Sequence, residues 1–324
     1  REEHVNSWLA QHLNLRLTDP GAFETKLSDL CRWLWDACMG QVVQALGSCQ
    51  YITLIPGGYL GMMPLHAAWT EDASKPTGRK YAMDCLGIRY APTALSLGEP
   101  HRSQWQSILC IDDPQPTDEA HLPFSEAETR AASHAFERAK TLPGKAASKQ
   151  ATLKLLPEFD VIHFSCHGKA NLDEPLTSGL LLSNSQLLTL SDLFELDLQR
   201  VDLVVLSACD TAQMGTYLPD EVISLPSGML QVGVTSVISP LWPIDSFSTL
   251  TLLARFYELL RETSAPPCEA MRLAQIWLRD TRNKDIAKHF RAVPEIWRQL
   301  RLRDPLARGF ASISDFAAFI YSGA

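Results

Sequence analysis

Short, largely apolar segments that alternate with helical stretches are the feature that most constrains this fold. Residues 161–164, 203–206 and 235–238 are rich in adjacent apolar side chains and lack the polar–apolar alternation of a half-exposed strand. Residues 246–260 and 267–282 repeat apolar side chains at helical spacing. Buried strands separated by helices are typical of a parallel sheet covered on both faces. We therefore predict an α/β fold with a mostly parallel central sheet.

Local patterns predict several further elements. We expect strands at 51–55 and 107–111 and a hairpin over 179–188. A helix is predicted over 125–138, starting with a capping box formed by Ser125 and Glu128. The acidic, proline-containing stretch 112–123 is predicted to be a solvated loop.

The first 48 residues are predicted to be helical, because apolar residues such as Leu27, Leu30 and Leu34 recur at spacings of three and four. The chain begins at Arg1 rather than at a methionine. We interpret residues 1–48 as the end of a missing upstream region and residues 49–324 as the main domain.

The composition excludes several classes of protein. Apolar residues make up 46% of the 324 residues and charged residues 20%, as in a globular protein with a sizeable core. The chain has 37 acidic and 29 basic residues, a net charge of −8, so we expect no direct binding to nucleic acid. Because no apolar run approaches the roughly 18 residues of a membrane helix, we expect no membrane partner.

Cysteine usage indicates a reducing compartment. Eight cysteines are too sparse for a disulfide scaffold in a chain of this length, and no two of them form a Cys-x-x-Cys pair. A structural zinc site is therefore not expected, and the predicted location is the cytoplasm.

Two of the predicted strands lead into reactive side chains. His167 follows the strand at 161–164, and Cys209 follows the strand at 203–206. Ligands of open parallel sheets bind beyond the carboxyl ends of the strands, so these two side chains are expected to face each other there. A thiolate is a nucleophile, and an imidazole can activate it and later protonate a leaving amine. The pattern alone leaves two alternatives open, a catalytic pair and two core residues.

Two neighbours of this pair are predicted to be structural. His163 lies among apolar residues within its strand, which indicates a buried, hydrogen-bonded histidine. Cys166 precedes His167, so its side chain is expected to point to the opposite face, into the core. The stretch 163–167 lacks the first cysteine of a haem-attachment motif and a second pair of zinc ligands, so metal binding is not expected.

Several motifs occur in a characteristic order: I-P-G-G at 55–58, His167-Gly168, L-S-A-C-D-T at 206–211 and S-V-I-S-P-L-W-P-I-D at 236–245. In these motifs the chain resembles the CHAT domain family, caspase-like cysteine peptidases often fused to tetratricopeptide repeats in bacteria. The resemblance covers nearly the whole chain beyond the first helices. It implies a caspase-like three-layer sandwich with a mostly parallel central sheet, preceded by N-terminal helices.

The resemblance also implies a cysteine endopeptidase. His167 would act as general base and acid, and Cys209 as the nucleophile. The amide groups of Gly168 and Cys209 would form the oxyanion hole. The substrate would be a protein or peptide, with no metal and no organic cofactor. The family further suggests a regulated role in bacterial signalling or antiviral defence, controlled by an upstream repeat domain or an activating protein complex.

Asp210 and Asp245 are secondary candidates for the substrate pocket. Each follows an apolar strand at the same edge of the sheet, and an acidic pocket would select Lys or Arg. The alternative is that Asp245 caps the helix that starts near Ser246 and that Asp210 is hydrogen-bonded or solvated. Trp242 is predicted to pack in the core rather than to contact substrate.

Two functions of other classes are alternatives to the peptidase. One is a catalytically silent interaction module with the same fold. The other is a redox sensor in which Cys209 or Cys166 is oxidised reversibly. The presence of both Cys209 and His167 favours the peptidase, since a scaffold has no need for the pair.

Overall fold

An eight-stranded sheet forms the centre of the computed structural model, which describes residues 18–46, 49–97, 105–171, 174–207, 224–263 and 265–324. With strands numbered along the chain, the sheet contains β1 (Tyr51–Leu54), β4 (Gly87–Tyr90), β5 (Ser107–Asp112), β6 (Arg138–Pro143), β7 (Val161–Ser165), β11 (Leu203–Leu206), β12 (Ser236–Pro240) and β13 (Phe319–Gly323). Their spatial order is β1-β4-β13-β12-β11-β7-β5-β6. Every neighbouring pair in this order is parallel except β12 and β13, which confirms the mostly parallel sheet.

Two smaller sheets accompany the central one. The hairpin of β2 (Trp69–Glu71) and β3 (Arg79–Tyr81) is antiparallel. The second small sheet joins β8 (Gly168–Lys169), β9 (Gly179–Leu182) and β10 (Gln186–Thr189), also antiparallel. The predicted hairpin over 179–188 is confirmed by the pairing of β9 with β10.

Helices cover both faces of the central sheet. They are α1 (Pro20–Leu34), α2 (Gly40–Ala45), α3 (Ala82–Cys85), α4 (Ser125–Ser133), α5 (Lys149–Leu155), α6 (Leu190–Phe194), α7 (Leu225–Gln231), α8 (Ser246–Glu262), α9 (Pro267–Asp280), α10 (Asn283–His289), α11 (Pro294–Leu300) and α12 (Ile313–Phe316). A π-helical stretch, Trp35–Met39, connects α1 with α2.

The three layers follow from the two-residue period of the buried strands. Along β11, Leu203 and Val205 pack into one core with helices α4, α8 and α9. Val204 and Leu206 face the opposite way, into a second core that contains residues of α6 and α7. Because both faces are buried, the strand is apolar at consecutive positions. The predicted three-layer sandwich is therefore confirmed.

The described N-terminal helices pack against this body. Asp19 caps α1, since its carboxylate accepts a hydrogen bond from the amide of Ala22. Phe23 and Leu27 on the buried face of α1 join the core that contains α8 and α9. The Glu24 carboxylate accepts hydrogen bonds from two amides at the start of α12.

The predicted helix over 125–138 is wrong in its cap and its length. The N-cap residue is Phe124, and no side chain caps the helix. Ser125 instead donates to Asp112 Oδ1 at 2.5 Å, and Glu128 points into the core. Helix α4 ends at Ser133, and the strand β6 begins at Arg138. No apolar run in the sequence predicts this strand. β6 is an edge strand with mostly exposed side chains, so it needs no continuous apolar stretch.

Candidate active site

The end of β7 supplies the first candidate catalytic residue. Ser165 is the last residue of the strand, and Cys166 and His167 follow it. Cys166 is buried in the core on the side of α6 and α7, while His167 is half-buried. The main chain at His167 is fixed, because its carbonyl accepts a hydrogen bond from the amide of Leu181 in β9.

A backbone carbonyl orients the His167 ring. The Nε2 atom lies 2.8 Å from the carbonyl oxygen of Ala120. Since a carbonyl oxygen can only accept, Nε2 carries the proton and donates it to this bond. In the neutral ring the lone pair is then on Nδ1, which makes Nδ1 the atom able to take a proton from a thiol.

The loop that carries Ala120 is held by Asp113. The Asp113 carboxylate is bound by the amide of Leu122 at 3.3 Å and by Nδ1 of His121 at 2.7 Å. The Asp113 amide donates to the carbonyl of Ser165 at the end of β7. Asp113 has a φ of 38°, a conformation that non-glycine residues seldom adopt and that often occurs at functional sites. One residue thus links the His167 strand to the turn that holds its hydrogen-bond acceptor.

Further contacts attach the same loop to the β9–β10 hairpin. The amide of Asn184 donates to the carbonyl of Pro116 at 2.8 Å, and the Ser185 hydroxyl donates to Asp118 at 3.1 Å. Lys169 in β8 forms an ion pair with Glu119 at 3.4 Å. The stretch 112–123, predicted to be a solvated loop, therefore takes part in organising the site.

The second candidate strand, β11, runs directly beside β7. Leu206 lies opposite Phe164, and the amide of Ser207 donates to the Phe164 carbonyl at 2.8 Å. Cys209 and Asp210 lie outside the described residues, so their predicted roles stay predictions. In the sequence Cys209 follows Ser207 by two residues, as His167 follows Ser165.

The other predicted site residues occupy varied positions. Gly168, the residue after His167, begins β8 and pairs with Leu180 of β9. The Asp245 carboxylate caps α8, because Oδ1 accepts hydrogen bonds from the amides of Phe247 and Ser248. Its capping alternative is thus observed, and its pocket role stays a prediction. Trp242 is buried and donates from Nε1 to the Ser314 carbonyl, which confirms its place in the core.

A buried polar network lies beneath the candidate site. The His163 ring has no exposed surface, and Nε2 lies 2.9 Å from Glu128 Oε1 on α4. Nδ1 lies 2.9 Å from the hydroxyl of Tyr257 on α8. The prediction of a buried, hydrogen-bonded His163 is confirmed. The network joins β7 to the two helices that cover one face of the sheet.

Burial acts against ionisation of most described thiols. It raises the pKa of Cys166 far above its usual range, with smaller contributions from the negative charges of Glu128 and Asp113. It raises the pKa of Cys110 in β5 to about 12. At neutral pH both thiols stay protonated and are poor nucleophiles.

Sequence reasoning missed Ala120, Asp113 and Glu128. Ala120 contributes only a carbonyl oxygen, which every residue has, so no side-chain pattern could identify it. Asp113 is one of several acids in the stretch 112–123, and the spacing of Glu128 from Ser125 predicts a helix cap. A weak signal existed for Glu128, because it lies among apolar helix positions on the buried face of α4.

No group of three His, Cys, Asp or Glu residues suited to a metal ion occurs in the described part of the chain. Among the described helices, none has the length and apolar character needed to cross a membrane.

Comparisons with known proteins bear on this arrangement. A family model, the CHAT domain, matches residues 28–324. The Arg-specific cysteine proteinase gingipain R (RgpB) has a similar structure, with a TM-score of 0.50 and 8% identity, over 92% of this chain and 67% of that chain. A complex of the pro- and mature domains of RgpB from Porphyromonas gingivalis gives a TM-score of 0.51 and 9% identity, over 92% and 68%.

The separase–securin complex of Saccharomyces cerevisiae has a TM-score of 0.50 and 12% identity, over 84% of this chain and 16% of that chain. No curated protein sequence matches this chain. At identities this low, the structural likeness shows a shared fold.

Proposed function

This chain belongs to the CHAT domain family, and from that premise we propose that it is a cysteine endopeptidase using Cys209 and His167. The observation that carries the proposal is the pairing of β7 with β11, in which Leu206 lies opposite Phe164. His167 and Cys209 each follow these paired residues by three positions in the sequence. Parallel neighbouring strands bring their carboxyl ends to one edge, which supports a close approach of the two side chains.

The proposed reaction is acyl transfer. Nδ1 of His167 takes the proton of the Cys209 thiol, and the thiolate attacks the carbonyl carbon of a peptide bond. The amides of Gly168 and Cys209 donate to the oxyanion, an effect worth on the order of 3 kcal/mol in the transition state. The imidazolium then protonates the leaving amine. Water hydrolyses the thioester and restores the thiol.

The hydrogen bond from Nε2 to Ala120 has a specific role in this scheme. It keeps the proton on Nε2, so that Nδ1 is available as the base at the start of each cycle. When the ring becomes positively charged, the carbonyl dipole of Ala120 stabilises that charge. No metal or organic cofactor takes part in any step of the proposed reaction.

Regulation and setting form part of the proposal. The CHAT family suggests that an upstream repeat domain or an activating protein complex switches the peptidase on, in bacterial signalling or antiviral defence. The sparse cysteines, no two of which form a Cys-x-x-Cys pair in the sequence, support a reducing compartment such as the cytoplasm.

A peptide library tests the proposal directly. Wild type, Cys209→Ala and His167→Ala are incubated with the library, and new termini are identified by mass spectrometry. We expect cuts only with wild type. A peptide-based acylating probe is used in parallel, and it should label Cys209 in wild type and react much more slowly in His167→Ala. Cuts that persist in Cys209→Ala contradict the mechanism.

The probe also separates the peptidase from a silent interaction module. A module with the same fold predicts no selective labelling of Cys209 at any substrate or activator concentration. The labelling rate relative to the exposed thiol of Cys49, measured in the same sample, provides the reference.

A further inference from the structure

A basic surface with exposed apolar side chains lies on the α10–α11 segment, residues 284–304. Six basic residues of this segment are exposed, namely Lys284, Lys288, Arg291, Arg298, Arg301 and Arg303. We call these six residues the basic surface. Within the described chain, none of the six forms an ion pair.

The charge of this segment opposes that of the rest of the molecule. The segment holds six basic and three acidic residues, which gives it a net charge of +3. Since the whole chain has a net charge of −8, the residues outside the segment have a net charge of −11. One of its acids, Glu295, is bound by Arg130 of α4 at 2.9 and 3.0 Å. Exposed basic side chains without ion-pair partners among the described residues, concentrated on an acidic protein, favour an anionic partner at this place.

Exposed apolar side chains accompany the charges. Leu302 is 79% exposed and lies between Arg301 and Arg303 in the sequence, and Trp297 is 38% exposed. The Arg301 guanidinium lies 5.0 Å from the centre of the Trp297 ring. A partner that pairs with the charges and buries these side chains must carry both acidic and apolar groups.

The basic surface reaches the edge of the sheet that holds His167. The Arg303 guanidinium lies 4.8 Å from the Phe247 ring in the first turn of α8, directly after β12. Phe247 packs against Phe124, which immediately precedes α4 and ends the loop carrying Ala120. Contacts of Phe247 thus connect Arg303 with Phe124, the residue that follows the loop carrying Ala120.

We propose that the basic surface is a docking site for an acidic segment, with interspersed apolar residues, of the protein substrate. Nucleic acid is disfavoured, because the rest of the molecule has a net charge of −11 and would repel a polyanion. A lipid surface is disfavoured as well. The apolar faces of α10 and α11 are already buried, with Ile286 and Ile296 fully inside the core.

A binding experiment tests the docking site without requiring catalysis. The full chain carrying Cys209→Ala is titrated into a fluorescent 20-residue peptide that alternates Glu or Asp with Leu or Phe. Binding is followed by fluorescence anisotropy. We expect Arg298→Glu, Arg301→Glu and Arg303→Glu together to weaken binding at least tenfold. A separate Leu302→Ser variant should weaken it several-fold.

A matched variant controls for the change in net charge. Lys140→Glu, Lys145→Glu and Lys154→Glu alter three exposed lysines near β6 and α5, away from the basic surface. We expect this variant to bind within twofold of the parent. All variants are compared by thermal melting, and a cooperative transition in each shows that the fold is retained.

Several outcomes would overturn the docking site: equal weakening by the two triple variants, undiminished binding of a peptide with Ser in place of Leu and Phe, or no binding to the parent. Binding of anionic vesicles or a DNA hairpin through the three arginines, without binding of the peptide, would assign the surface to another partner.

The identity of the segment as substrate rests on the proposed function. Peptide binding combined with no cleavage by wild type would reject the peptidase and retain the surface.

Discussion

At the scale of single residues, the orientation of His167 depends on a residue that never contacts it. The His167 ring donates to Ala120, and Asp113 holds the turn next to Ala120 through Leu122 and His121. Asp113 is therefore a positioning residue in the proposed mechanism. Its effect on the reaction should pass through the tautomer of His167 rather than through contact with substrate.

We expect Asp113→Ala to slow the labelling of Cys209 by the acylating probe on the order of tenfold, because the Ala120 carbonyl is no longer fixed. The pH dependence of labelling should also change, which a general loss of stability would not cause. Asp113→Asn should retain more activity, since an amide oxygen can still accept from Leu122. Glu126→Gln, on an almost fully exposed side chain in α4, is the control and should label as wild type does. Identical pH profiles in Asp113→Ala and wild type would contradict the positioning role.

Cys166 gives a second prediction at this scale. Burial raises the pKa of its thiol, so iodoacetamide at neutral pH should leave Cys166 unmodified in the folded protein. Exposed Cys49 should react in the same sample. Tryptic peptides analysed by mass spectrometry measure both. Modification of Cys166 at a rate near that of Cys49 would contradict this prediction and favour the redox-sensor alternative for Cys166.

At the scale of elements, the sequence predicts β7 and β11, which are buried on both faces, and misses β6, which is not. β7 and β11 are recognisable because neighbours on both sides require consecutive apolar residues. β6 is not recognisable, because an edge strand with exposed side chains has the composition of a loop. The predicted cap of α4 fails for a related reason. Ser125 and Glu128 match a capping pattern, but tertiary partners, Asp112 and His163, bind both side chains.

Contacts between distant segments explain what else could not be predicted at the site. The strand ends that carry His167 and Cys209 follow from local patterns, but the acceptor for Nε2 lies 47 positions earlier in the chain. No periodicity links Ala120 to His167. Such a pairing becomes visible only when β5 and β7 lie side by side and bring the loop of one to the end of the other.

The network of Glu128, His163 and Tyr257 predicts how strongly α4 is attached to β7. Glu128→Leu should lower the free energy of unfolding by about 2–4 kcal/mol, because the buried Nε2 of His163 loses its partner. Glu128→Gln keeps an acceptor oxygen and should cost clearly less. Tyr257→Phe should cost about 1 kcal/mol, the usual worth of one hydrogen bond. Urea denaturation measures all three. Equal losses for Glu128→Leu and Glu128→Gln would mean that the hydrogen bond contributes little.

At the scale of the whole molecule, the central sheet is completed by segments from both ends of the chain. β4 comes from the N-terminal third, β13 from the C-terminus, and the two lie side by side. The buried ring of His66 links the two strands through hydrogen bonds. Its Nδ1 accepts from the hydroxyl of Tyr90 at the end of β4, and its Nε2 donates to the carbonyl of Ala317, just before β13.

His66 should make the stability of the molecule depend on pH. Burial lowers the pKa of His66 to about 4 in the folded protein, against an ordinary value of 6.5, despite the opposing effect of its hydrogen bond to Ala317. Between these values the unfolded chain binds more protons than the folded one, so the free energy of unfolding falls as the pH drops from 6.5 towards 4. The full effect of this one group is on the order of 3 kcal/mol.

Carboxylates also titrate in this range, so the comparison requires a variant that lacks the ring. His66→Gln has no group that titrates here, and its amide can still bond to Tyr90 or Ala317. Urea unfolding at pH 7 and pH 4.5 should show a larger loss of stability in wild type than in His66→Gln, by about 2–3 kcal/mol. Parallel losses in the two proteins would show that the folded and the unfolded chain protonate His66 over the same pH range, so that burial does not lower its pKa. In that case the junction of β4 with β13 would have to accommodate a buried positive charge.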